Sequence, residues 1–244
     1  MNIFIVSESS KNMRALGRMA LETKRNTAML VMLVYGVAVM LPPAIISILF
    51  GGTLGENMSL LYTLLVTGPF TYGLAVFFLA TFRRQESEVQ QVFEGFEKFA
   101  KTLGLFFYIL LFVILWSLLF IIPGIIASFR YSQAFLIMVD HPEYTISQCV
   151  DESKMRMQGN KGKYFILGLS FIGWSLLCSI PLTIVEAMFT SSSSVVFYQF
   201  LSLVAMLPFI WLGAYMHLTL VAFYEILMGN LKAEPITPEL PLEA

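Results

Sequence analysis

Charge is scarce in this chain. Asp, Glu, Lys and Arg make up 13% of its 244 residues, about half the share of an ordinary soluble domain. Two cysteines, Cys149 and Cys178, and two histidines, His141 and His217, are all it has of either type. So few thiols exclude a disulfide-built scaffold. No carboxylate stands at a ligand spacing from either histidine, so no metal motif can be assembled from the sequence. Walker, His-Glu-x-x-His, Cys-x-x-Cys and Gly-x-Ser-x-Gly patterns are missing too. Ser117, Ser175 and Ser179 have no base in view, and small residues in apolar helices serve close packing. A net charge of −1 does not suit a nucleic-acid partner. The expectation is therefore no enzymatic activity, no cofactor, no metal and no nucleic acid.

What the chain has is apolar length. It is 57% hydrophobic with 22 Phe, more than one soluble core of this size hides, so the lipid bilayer is the first expected partner. The expected fold class is all-α: a polytopic membrane protein with six transmembrane helices as three hairpins and amphipathic cytoplasmic surface helices. A span takes ~20 apolar residues. Six segments supply them: Thr27–Phe50, Met58–Ala80, Leu103–Ile122, Gly124–Val139, Tyr164–Phe189 and Phe197–Leu227. The sixth contains Pro208, where tilt or a kink is expected. The fourth is short and holds Arg130. Merging Leu103–Val139 into one helix would span about 55 Å, nearly twice the hydrocarbon thickness. A turn is therefore placed at Pro123-Gly124, with the fourth segment returning as a full or partly re-entrant span.

All 15 Lys and Arg residues then fall on one side. Lys11, Arg14, Arg18, Lys24 and Arg25 precede the first span. Arg83, Arg84, Lys98 and Lys101 follow the second, Lys154, Arg156, Lys161 and Lys163 follow the fourth, and Lys232 follows the sixth. Arg130 lies within the fourth. The opposite loops near Gly51–Asn57, Pro123 and Thr190–Val196 carry none. The positive-inside bias puts residues 1–26 and the tail 229–244 in the cytoplasm. The apolar run Ile3–Val6 is too short for a secretory signal.

The cytoplasmic segments have two faces. Lys11, Arg14, Arg18, Glu22 and Arg25 form a stripe opposed by Met13, Leu16 and Ala20. Val89, Val92, Phe93, Phe96 and Phe99 oppose Glu94, Glu97, Lys98 and Lys101. Ile146, Cys149, Val150 and Met157 oppose Asp151 and Lys154, with Gly159 as a cap. Such helices either pack beneath the bundle or dock a cytoplasmic or membrane partner or anionic lipid. Phe93, Phe96 and Phe99 are the candidate docking face.

A repeat runs through the chain. Trp116-Ser117-Leu118-Leu119-Phe120-Ile121-Ile122-Pro123 matches Trp174-Ser175-Leu176-Leu177-Cys178-Ser179-Ile180-Pro181, and the even-numbered spans share Tyr72, Tyr131 and Tyr215. The chain reads as three units, each a surface helix and a membrane hairpin. Repeats of this kind occur in transporters.

Gly95-Phe96, Ile122-Pro123-Gly124-Ile125, Asp140-His141-Pro142, Ser153, Met155-Arg156-Met157-Gln158-Gly159-Asn160-Lys161 and Leu169-Ser170-Phe171-Ile172-Gly173-Trp174 follow in that order. This resembles, over Gln91 to Leu227, a bacterial integral-membrane family catalogued as domain of unknown function 975. The resemblance implies a multi-pass topology and a bacterial plasma membrane, and implies no activity or catalytic residue.

Intramembrane ionisable groups remain as candidate sites: Arg130, Glu186, His217 and Glu225. Counting ~9 Å from the outer turn places Arg130 where Glu186 could pair with it, the alternative being separate snorkelling. Glu225 is placed at the inner interface, and a hydrogen bond to a helix neighbour is expected for His217, the alternative being a titrating relay. Arg83 is expected to be a solvated surface charge. The functional expectation is a non-enzymatic interaction, accessory or envelope-maintenance role. The alternative is a small transporter or permease component for a lipophilic or peptide substrate. A polar central pathway would favour transport; a dry, side-chain-filled bundle would favour the interaction role.

Overall fold

A backbone in hydrocarbon has no water to bond, so apolar chains satisfy their N–H and C=O groups within helices. The computed structural model describes residues 5–188, 201 and 204–231, and every regular element among them is helical. The expected loop at Thr190–Val196, the start of the sixth expected span and Lys232 lie outside the described residues. Six segments are long and apolar enough to cross a membrane: Arg25–Phe50 (α2), Gly52–Phe82 (α3), Phe99–Leu119 (α5), Ile121–Asp140, Lys161–Met188 and Leu207–Met228 (α11). The fourth is divided into Ile121–Tyr131 (α6) and Ala134–Asp140 (α7), and the fifth into Lys161–Leu169 (α9) and Ile172–Met188 (α10). Around them lie Ser10–Thr23 (α1), a 3-10 turn at Val89–Phe93 followed by Glu94–Glu97 (α4), and Ile146–Arg156 (α8).

The reversals are tighter than composition suggests. α2 and α3 are separated by Gly51 alone. Gly51 and Gly52 have φ of 59° and 50°, values at which a Cβ is disfavoured, so the helix restarts without the expected Gly51–Asn57 loop. The next reversal is at Phe120, which is extended (φ −161°, ψ 152°), not at Pro123-Gly124. Pro123 instead sits in the first turn of α6, where a missing N–H costs no helical bond.

The spans pair antiparallel. Pro42 has no N–H for the Ala38 carbonyl four residues back, and the Tyr62 hydroxyl of α3 supplies the missing donor at 2.7 Å. Phe112 meets Tyr131 between α5 and α6 (6.4 Å between centroids), and Phe171, in the turn just before α10, meets Tyr215 of α11 (5.3 Å). The two Trp-Ser-Leu-Leu copies diverge. Ser117 and Ser175 both bond back to the carbonyl four residues earlier, but α5 stops at Leu119 while α10 continues through Pro181.

Burial is polarised along the bundle. Phe70, Tyr72, Phe77 and Phe78 on α3 and Phe223 and Tyr224 on α11 are buried toward the ends of these helices that carry the basic segments, and Tyr215 is buried midway along α11. Ile48, Leu118, Ile121, Leu176 and Met188, at the opposite ends, are exposed. The break in the fourth span is stapled by α8: Ser153 Oγ donates to the Arg130 carbonyl (2.7 Å) and accepts from the Gln133 N–H (3.3 Å).

Two surface segments depart from the expected wheels. α1 buries Met13, Gly17 and Leu21 and ends before Arg25, which starts α2. Phe93 to Phe99 is not one helix, because the chain breaks at Lys98. Lys98 therefore leaves the expected polar face.

Candidate functional site at the basic end

Three even-numbered spans end in charged residues, and local chain geometry aims them at one another. α3 closes with Arg84 in the left-handed region (φ 56°), Arg84 N–H bonding to the Thr81 carbonyl and Gln85 N–H to that of Ala80. α11 closes in the same way with Gly229 (φ 79°), whose N–H bonds to Ile226, while Asn230 N–H bonds to Glu225. These paired closures hold Arg83 and Glu225 at defined positions. Asp140 is the last residue of α7.

Arg83 joins all three. Its Nη1 and Nη2 donate to the two Asp140 carboxylate oxygens (2.6 and 2.8 Å) and its Nε to Glu225 Oε1 (2.8 Å). The Tyr224 hydroxyl donates to Asp140 Oδ2 (2.8 Å) and the Asn230 amide to Glu225 Oε2 (3.0 Å). The side chains of Arg83, Asp140 and Glu225 are 28, 16 and 4% exposed. The Asp140 hydrogen bond, followed after opposing burial by the attraction of Glu225, drives the guanidinium pKa above its usual range. Each carboxylate oxygen of the node has a partner. Such chemistry fastens helices together, and it leaves no oxygen set aside for a ligand.

A second pattern lies on the three shared tyrosines. Lys98 Nζ donates to the Tyr72 hydroxyl (2.8 Å) and lies 5.2 Å from its ring centre. Lys154 Nζ lies 5.9 Å from the Tyr131 ring centre, and Arg18 Cζ 5.9 Å from that of Tyr215. All three tyrosines are buried. Each surface segment thus places a cation on the even-numbered span of the unit before it, and α1 places one on the last, which closes the cycle. Gly17 lies so close to α11 that a Cβ there would come within 2.9 Å of the Thr219 backbone. A Cβ at Gly95 would strike the Pro69 carbonyl of α3.

The sequence-selected residues fall elsewhere. Arg130 is half-buried midway along the fourth segment, between Phe120 and Asp140, and its carbonyl meets Ser153 of α8. Glu186 is exposed near the far end of α10, and the two form no ion pair. They separate because the chain reverses at Phe120, four residues before Gly124, so Arg130 lies deeper than expected while Glu186 stays near the far end. His217 stacks on Phe78 (4.9 Å, parallel) and makes no hydrogen bond to a helix neighbour among the described residues. Phe93 and Phe96 set their edges against Phe70 (5.8 and 4.9 Å), and Phe96 stacks on Phe99 (6.4 Å). They nevertheless stay 46, 36 and 39% exposed. Arg83, expected to be a solvated surface charge, is the centre of the node. A signal existed: a charged residue follows each shared tyrosine by nine to eleven positions, at Arg83, Asp140 and Glu225. Both cysteines are free and buried, and no group of three potential metal ligands occurs among the described residues.

The far edge of this region coincides with a known sequence pattern. Residues 110–230 match the family described as protein of unknown function (DUF975). The DUF975 resemblance takes in Asp140, Glu225 and the Tyr131 and Tyr215 sites, and leaves out α1, α2, α3 and Arg83. No curated protein and no solved structure matches the chain.

Proposed function

We propose that the chain is a non-enzymatic bacterial plasma-membrane protein with its basic end and both termini in the cytoplasm, acting through contacts with other proteins. An interaction, accessory or envelope-maintenance role fits this reading. One observation carries it: the basic half of the bundle is filled by Tyr72, Phe77, Phe78, Tyr215, Phe223 and Tyr224 and tied shut by the Arg83 node. What this leaves for function is surface. Phe93, Phe96 and Phe99 keep exposed edges beside Glu94 and Glu97, which suits a partner segment with apolar and cationic side chains. Burial, then the neighbouring Glu97, raises the Glu94 carboxyl above its ordinary range, and an arriving cation would relieve that.

A photo-crosslinking residue at Phe99 should trap a protein neighbour in native membranes, and one at Leu118 should trap lipid. Lipid adducts alone at both positions would refute the docking role. Transport is the second reading, favoured by the exposed far halves of the spans against a closed basic end. It requires Arg83→Ala to raise solute flux in proteoliposomes; the interaction reading requires the bundle to stay tight.

A further inference from the structure

The edge where α1 runs beside α9 carries cations that the fold leaves without a carboxylate. Lys163 Nζ donates to the Ser7 carbonyl (3.4 Å) and Arg14 Nη1 to that of Ser170 (3.1 Å). Both pairs are separated by 156 residues in sequence, so the two segments run parallel, side by side. Lys161 opens α9, and Lys11 is exposed in the first turn of α1. Among the described residues none of Lys11, Arg14, Lys161 and Lys163 forms an ion pair, whereas Arg83, Lys154 and Arg156 each do. Glu8, the nearest acidic residue in the chain, buries one carboxylate oxygen without a partner and pairs with none of them.

Directly beyond the lysines the surface turns apolar. Phe165, Ile166 and Leu169 are 45, 56 and 44% exposed, on a segment apolar enough to cross a membrane. Arg14 donates to the Ser170 carbonyl, next in the chain after Leu169, with no carboxylate to balance it among the described residues. A phosphate on the cations and acyl chains on the apolar face would meet both needs. A soluble anion leaves the apolar face uncovered, and a zwitterionic lipid brings no net charge. We propose that the α1–α9 edge binds an anionic phospholipid, its headgroup drawn by the charges of Lys163 and Arg14 at the two ends of that edge and its chains lying along Phe165, Ile166 and Leu169. The inference rests on the reading that these helices sit in a bilayer and is independent of the protein-docking role.

The test is thermal unfolding of the full chain in nanodiscs of phosphatidylcholine alone or with phosphatidylglycerol, with native mass spectrometry counting bound lipid. Wild-type protein should unfold at a higher temperature with the anionic lipid and retain it. Arg14→Gln with Lys163→Gln should abolish that shift and weaken binding about 20- to 30-fold, since each basic residue near an anionic surface contributes roughly a fivefold factor. Arg14→Lys with Lys163→Arg, which keeps both charges, should preserve most of it, and so should Arg25→Gln. Equal midpoints in the two lipids, or loss of the shift in Arg25→Gln as well, would overturn the site. Failure to enter nanodiscs at all would instead strike the membrane reading. Inorganic phosphate reproducing the shift in phosphatidylcholine would show a soluble-anion site and also overturn the proposal.

Discussion

Arg83 offers all three of its guanidinium nitrogens to carboxylates, and removing it strands two negative charges, one of them 4% exposed. Losing one member of a buried pair costs ~3–5 kcal/mol, whereas an exposed charge contributes under about 1. Arg83→Ala should therefore lower the unfolding temperature in detergent far more than Arg130→Ala, whose side chain pairs with no carboxylate. Comparable losses would mean that the node does not hold the bundle. A double-mutant cycle of Arg83→Ala and Asp140→Ala should show strong coupling, with the double variant milder than the sum of the singles. Next to it, Arg84 holds a left-handed conformation that a side chain resists. Arg84→Gly should stabilise the same protein by about 0.5–1 kcal/mol, and a loss on that substitution would indicate that the Arg84 side chain has its own partner.

At the scale of elements, the surface segments dock through glycine. The Gly95 Cα rests on the Pro69 carbonyl, and no Cβ fits between α4 and α3. Gly95→Ala must push the segment outward, lengthening the Lys98–Tyr72 hydrogen bond, with a cost of roughly 1–3 kcal/mol for overpacking. Gly168 has nothing within 4 Å of a built Cβ, so Gly168→Ala should be neutral or stabilising by up to about 1 kcal/mol. Melting both variants in one detergent separates a packing effect from a general intolerance of substitution; similar midpoints would mean that α4 is not seated on α3. The wheel drawn for residues 89–101 was legible as an apolar stripe. The break at Lys98 was not, because Lys98 donates there to Tyr72, a contact made across 26 residues of sequence that no local pattern contains.

For the molecule as a whole, the gathering of lysines and arginines toward one end among the described residues gives a direct test of threading. In a background without Cys149 and Cys178, both buried, cysteines at the exposed positions Gln85 and Glu56 should behave oppositely. Glu56→Cys should react with an impermeant thiol reagent in intact cells, and Gln85→Cys only after lysis. The reverse pattern would turn the protein over. The cyclic placing of cations on tyrosines makes the three units interdependent, since α1 closes onto α11, the last helix. Removing α1 should therefore loosen the third unit as well as the first, seen as faster proteolysis around residues 157–163.

Sequence alone determined the class of object: all-helical, six segments able to cross a membrane, and a resemblance to DUF975, because apolar run length and motif order are properties of the chain read locally. It also hinted at three units through the shared tyrosines. Which charges meet was decided only in three dimensions. Arg83, Asp140 and Glu225 lie far apart in sequence and come together because three helix ends converge, while Arg130 and Glu186, expected at similar depth, separate because the reversal at Phe120 leaves Arg130 midway along the fourth span and Glu186 lies near the far end of the fifth. Hydropathy is a sum over neighbours in the chain, and an ion pair depends on the packing angles between helices, which no local sum contains.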